Sequence, residues 1–220
     1  MNWLPRCEQQ FKMRQRPPSS QLGRTSKARR LPVVRWADTM GPLYIVTGRF
    51  GPTSRGPEWE RYLEWSSLRQ LTEVVSLDSM LCEPIISDLA EEDWAHVVKE
   101  DFMTSYFTDL DHLVRRVGHL RERNLLCVYR NPGAHPDGPP STSFEFRFEG
   151  YDLVEAGGSV SALTNCGGFP KAFSNDELSE HGLLKSWQRA NDVQRSLQQH
   201  YPEDPHAACD VWAIFRAAAA

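Results

Sequence analysis

Two stretches, NLLCVYR at 124–130 and SFEFRFE at 143–149, point to the class of fold. The second alternates residue by residue. Phe144, Phe146 and Phe148 fall on one side and Glu145, Arg147 and Glu149 on the other, the pattern of a strand with one covered face. The first is apolar on both sides, as in a strand buried within a sheet. Between them, NPGAHPDGPPST holds four prolines and two glycines, which fits an exposed connection and leaves no crossover helix. Strands joined that way run antiparallel.

Further strands are expected at LYIVTGR (43–49), at VSALTNC (160–166) and at CDVWAIFR (209–216), the last of which has to re-enter the sheet. Elsewhere the apolar period lengthens toward that of a helix. Trp59, Tyr62, Leu63, Leu68, Leu71 and Val75 predict a helix over 58–75 behind Pro57. Trp94, Val97, Val98 and Phe102 predict another over 91–102. Thr108 and Asp111 form a capping-box pattern ahead of Leu110, Leu113, Val114 and Val117, with Gly118 as the stop. Ser174 and Glu177 make a second such box, and Leu184, Trp187, Ala190, Val193 and Leu197 mark a helix over 183–200 that Pro202 ends. The expected fold is α+β: a mainly antiparallel sheet of four or five strands with helices packed on one face.

Composition agrees with a globular chain. Of 220 residues, 40% are hydrophobic and 25% charged, which excludes collagen-like and wholly disordered classes. No run approaches the roughly 18 apolar residues of a membrane helix. Charge is unevenly spread. Residues 1–39 carry nine basic and two acidic side chains, a net of +7, so the rest carries −11 to give the chain's −4. The stretch RPPSSQLGRTSKARR lacks apolar area to offset the entropy of ordering, so 1–39 reads as a disordered basic extension. Four readings of it are open: an extension preceding the natural start at Met40, a targeting peptide, a contact for nucleic acid phosphates, or an arm that folds back on the acidic body. Residues 40–216 then form a single α+β domain, and the alanines at 217–220 carry no information.

Cys7, Cys82, Cys127, Cys166 and Cys209 are odd in number and irregularly spaced, and no C-x-x-C pair offers a zinc site. Reduced thiols in a cytoplasm and no metal are expected. Neither G-x-G-x-x-G nor GK[ST] is present, so no nucleotide cofactor is expected.

Three constellations invite chemistry. Eight carboxylates crowd residues 88–111, with D-x-x-H pairs at Asp93/His96 and Asp109/His112. On a helix each pair would share a face, and Glu92 would flank His96. Near them, Trp59, Tyr62, Glu91, Glu92 and Asp93 suggest an aromatic patch with an acidic rim that binds a basic macromolecule. Trp59 and Trp65, six apart, cannot both point inward from one straight helix. Lastly, TNCGGF (164–169) sets Cys166 before two glycines, where backbone N–H groups can form an anion nest, and His206 and Asp210 supply a base and its orienter.

The leading expectation is a soluble interaction or inhibitor-type protein that uses its acidic surface to bind a basic partner. In charge and size it is similar to small bacterial inhibitor and immunity proteins. The alternative is a thiol-dependent hydrolase or transferase using Cys166, His206 and Asp210. Nucleic-acid contact through residues 1–39 is a third.

Overall fold

A computed structural model of the chain describes residues 41–82, 90–99, 105–134, 138–140, 142–155, 160–165 and 169–218. Six strands make one antiparallel sheet: β1 (Leu43–Gly48), β2 (Val97–Lys99), β3 (Ser105–Phe107), β4 (Arg123–Arg130), β5 (Phe146–Glu155) and β6 (Cys209–Ala217). Their order is β2-β3-β1-β4-β6-β5. The expected α+β class holds, with six strands rather than four or five. The final strand inserts between β4 and β5, so the two stretches that signalled the sheet are neighbours in sequence but not in the ladder. A buried run from Val211 to Phe215 explains that central place.

Register sorts the side chains. Leu43 and Ile45 oppose Val128 and Leu126, which oppose Ile214 and Arg216. Leu43, Ile45, Leu126, Val128, Trp212 and Ile214 thus share one face, where Val75, Leu77 and Leu183 complete a core cluster. Tyr106 of β3 stacks on Trp212 at 5.1 Å between centroids. Each such apolar side chain contributes on the order of 2 kcal/mol on burial.

Among the described residues four α-helices accompany the sheet: α1 (Pro52–Arg55), α2 (Pro57–Ser66), α3 (Leu110–Val117) and α4 (Trp187–His200). The Asp109 side chain caps α3 by accepting from His112 N at 2.8 Å, and Gly118 closes it at φ 77°. Leu110 and Leu113 are its buried residues, and it packs on β1 and β3. Ser186 caps α4, which packs on β5 and β6 and buries Ala190, Val193 and Leu197 at spacings of three and four.

Three expectations change. The helix over 58–75 stops at Ser66, because Ser67 turns left-handed at φ 58°. Beyond it the chain runs extended and spends its backbone groups on tertiary partners: Val74 N donates to Phe50 O (2.8 Å) and Val75 N to His181 O (3.1 Å). The helix over 91–102 is a 3-10 segment, Glu91–Ala95, followed by β2, whose Val97 and Val98 pair with Phe107 and Tyr106. Of the strand at 160–166, the described part makes a single bridge, Val154 to Ser161.

Gly150 allows a bulge in β5. The register shifts between Phe148 and Gly150, φ is +148°, and a Cβ there would lie 2.8 Å from both Leu183 Cβ and Leu184 O. The missing side chain lets Tyr151 exchange backbone hydrogen bonds with Leu184. No helix among the described residues is long and apolar enough to cross a membrane.

Candidate functional site: an arginine-lined groove

An antiparallel sheet gathers alternate strand ends. The end of β1 and the start of β4 meet where Gly48 pairs with Arg123, and the end of β6 meets the start of β5 where Arg216 pairs with Arg147. Arg49 follows β1 directly. At this end of the sheet lie two adjoining cavities, of about 440 and 480 Å³, that share Arg49 and Arg123 as walls. The inner one is completed by Arg147 and Arg216, the outer one by Arg55 and Arg121. Against six arginines the lining holds only two glutamates, Glu122 and Glu149. Counting also the ionised Glu73 that two of these arginines bind, a surplus of three positive charges stands on a body whose total is −11.

The floor is built on Glu73, delivered by the extended stretch after α2 and 8% exposed. Its carboxylate accepts from Arg49 Nε (2.9 Å) and Nη2 (3.0 Å), from Arg216 Nη1 (2.9 Å) and from Asn124 Nδ2 (3.3 Å). Arg216 Nε also donates to Glu149 (2.8 Å), which pairs with His181 Nδ1 at 2.7 Å. Burial disfavours ionisation of Glu73, but Arg49, Arg216 and Asn124 outweigh it and hold the carboxyl below its ordinary range. Glu149 behaves alike: burial opposes its charge, and His181 and Arg216 overcome the opposition. Two guanidinium planes are therefore fixed in place before any ligand arrives. Arg55 and Arg121, by contrast, have no ion pair among the described residues.

A second, buried network is built on Asp152 and Asp78. The buried carboxylate of Asp152 accepts from Ser76 Oγ (2.6 Å), Ser161 Oγ (2.7 Å), Leu77 N (3.1 Å) and Leu153 N (2.9 Å). Asp78 accepts from Met80 N (2.9 Å), Ser161 N (3.0 Å) and Asn165 Nδ2 (2.8 Å). Desolvation pushes Asp78 up to about 6 and raises Asp152 as well. This network ties residues 76–80 and 161–165 to β5.

Compared with known proteins, the chain matches no family model, no curated protein and no solved structure.

The expected aromatic and acidic surface is rearranged. Trp59 and Tyr62 are buried, packed edge-on to Phe50 at 5.5 and 5.1 Å between centroids. The Tyr62 hydroxyl donates to Thr164 O at 2.9 Å, which anchors α2 and leaves no surface anchor in either ring. Trp65, its ring 6.1 Å from that of Tyr62, is the outward one, at 40% exposure, and Trp94 is 39% exposed. Glu91 and Glu92 are exposed, but Asp93 is buried. Asp93 accepts from Ala90 N (2.7 Å) and holds His112 Nε2 (2.7 Å) and Arg116 Nε (3.2 Å), fastening the 3-10 segment to α3.

The D-x-x-H pairs cross over. Asp93 takes His112, Asp109 faces His96 at 4.0 Å, and the two imidazoles stack at 4.4 Å. Among the described residues no group of three or more metal-ligating side chains converges. The expected base and orienter do not meet either: His206 Nδ1 lies 3.1 Å from Glu155, while Asp210 accepts from Arg130 Nε (2.9 Å) and Asn131 Nδ2 (2.8 Å). Cys166 and the basic extension lie outside the described residues. Burial pushes the Cys127 and Cys209 thiols up to about 12, which makes both poor nucleophiles.

Sequence reasoning missed the groove. Its arginines are scattered from 49 to 216, and the only hint was the unexplained R-x-R at 121–123 and 147's place among alternating phenylalanines.

Proposed function

We propose that this chain is a binding protein whose recognition site is the arginine-lined groove and whose ligand is anionic. The observation that carries this reading is the sorting of charge. Six arginines line two adjoining cavities of ligand-binding size on a body that is otherwise strongly acidic. Charge of one sign focused in a concavity raises the local concentration of the opposite ion. At physiological salt the screening length is about 8 Å, so a ligand seated in the groove feels these arginines more than the distant carboxylates. Glu73 and Glu149 supply the orientation that lone surface arginines lack.

Titrating the full chain with inorganic phosphate at low ionic strength, followed by amide NMR shifts, tests the reading. Shifts are expected at Arg49, Arg121 and Arg123, with weaker binding in Arg121→Ala. No shift in the groove at millimolar phosphate refutes it.

A second reading keeps the acidic surface as a contact for a basic macromolecule. What favours it is Trp94, two-fifths exposed beside the exposed Glu91 and Glu92. An oligolysine titration followed by tryptophan fluorescence tests it. The response is expected to disappear in Trp94→Phe with Glu91→Gln and Glu92→Gln, and its survival there sets the reading aside.

A further inference from the structure

The groove is two cavities rather than one, and their charges differ. This inference rests on the anion-binding reading and concerns what kind of anion fits. The inner cavity has four arginines, but Arg49 and Arg216 are committed to Glu73, Arg216 also to Glu149, and Arg147 pairs with Glu145 at 3.0 Å. The outer cavity also has four arginines, with only Glu122 as a lining carboxylate, and Arg55 and Arg121 there have no ion pair among the described residues. Arg49 and Arg123 belong to both. A ligand carrying one anionic group can use only one cavity. A ligand carrying two adjacent anionic groups, seated where Arg49 and Arg123 line both cavities, can draw on arginines of either side.

Length sets an upper limit. A nucleic acid strand carries one charge per about 3.4 Å, so a ten-residue strand extends over about 34 Å. The groove crosses the ends of four neighbouring strands, about 14 Å at 4.8 Å per step. Charges beyond that distance pass the lining arginines and gain nothing from them.

We infer that the groove recognises a compact ligand with two linked phosphates, seated where Arg49 and Arg123 line both cavities, one phosphate toward Arg55 and Arg121 and the other toward the Arg49–Glu73–Arg216 floor. Phosphate groups suit this lining because planar guanidinium forks donate to them in pairs.

The experiment compares inorganic phosphate, pyrophosphate and a single-stranded ten-nucleotide DNA on the full chain by calorimetry at 0.15 M salt. Pyrophosphate is expected to bind at least tenfold more tightly than phosphate. In Arg55→Ala with Arg121→Ala, its affinity is expected to fall to that of phosphate, with the unfolding midpoint unchanged as a check on folding. Equal affinities for phosphate and pyrophosphate overturn the two-site inference and leave the anion-binding reading standing. Binding of neither at 0.15 M or at low salt overturns both. Tighter binding of the DNA than of pyrophosphate overturns the compact ligand in favour of a nucleic acid strand.

Discussion

Replacing Glu73 with glutamine keeps its shape and removes its charge, and the structure gives that change two opposite consequences. Each carboxylate oxygen accepts from two donors: Oε1 from Arg49 Nε and Asn124, Oε2 from Arg49 Nη2 and Arg216 Nη1. A glutamine must turn its NH₂ toward one of those sets, so two donors lose their acceptor. Removing one partner of a fully buried pair costs about 3–5 kcal/mol. Arg49 is 45% exposed along its side chain and re-solvates easily, so its share is closer to the 0–1 kcal/mol of a surface pair. The Arg216 contact, at 18% exposure, retains most of its value. About 2–3 kcal/mol is the expected loss, roughly 5–10 °C in melting temperature for a body of this size.

The sign with pH follows from the lowered pKa of Glu73. A depressed carboxyl contributes stability above its unfolded value near 4.5 and loses it as pH falls through the folded value. Wild type and Glu73→Gln should therefore differ fully at pH 7 and converge as the pH falls below 4.5 through the lower folded value. Binding should move the other way. The variant gains a positive charge beneath the inner cavity, so pyrophosphate is expected to bind several-fold more tightly while the protein becomes less stable. Urea unfolding across pH 3–7 and calorimetry at pH 7 measure the two arms. A stability difference that is absent at pH 7, or that does not change with pH, refutes the argument.

Asp78 should show the opposite pH trend. A carboxyl raised from 3.8 to about 6 contributes stability below its unfolded value that is lost as pH rises through 6, on the order of 3 kcal/mol. The urea midpoint should rise between pH 7.5 and 5, and Asp78→Asn should lack that increment; an equal rise in the variant argues against the assignment. Gly150→Ala places a Cβ 2.8 Å from Leu183 and Leu184 at a φ of +148°, which predicts a loss of about 3 kcal/mol in urea unfolding. Asp93→Ala removes the acceptor of Ala90 N, His112 and Arg116. A loss of about 2 kcal/mol is expected, with faster amide exchange at Ala90 and along α3 while β4 and β6 stay protected.

Much of the fold was legible because its signals are local. Apolar runs at 43–48 and 209–216, the terminal glycine of 110–118 and the three-four spacing of 187–200 act within a few residues, although the cap of the 110–117 helix is Asp109 and not the expected Thr108. The structure follows them. Residues 68–77 were not legible. Leu68, Leu71 and Val75 fit a helical spacing, and distant acceptors on Phe50, Asp152, Glu180 and His181 draw the segment out straight. The same holds for 97–99, where two valines on an expected helix become an edge strand because Tyr106 and Phe107 lie beside them.

The sequence alone determined an antiparallel α+β body, the need for a returning last strand, and a large acidic excess behind a basic leader. Tertiary structure decided which aromatic rings face water: Trp65 and Trp94 do, Trp59 and Tyr62 do not. It also decided where positive charge gathers. Hydrophobic period and capping are read over three or four neighbours along the chain. A site assembled from strand ends spanning residues 49 to 216 depends on register and strand order, which long-range pairing alone fixes.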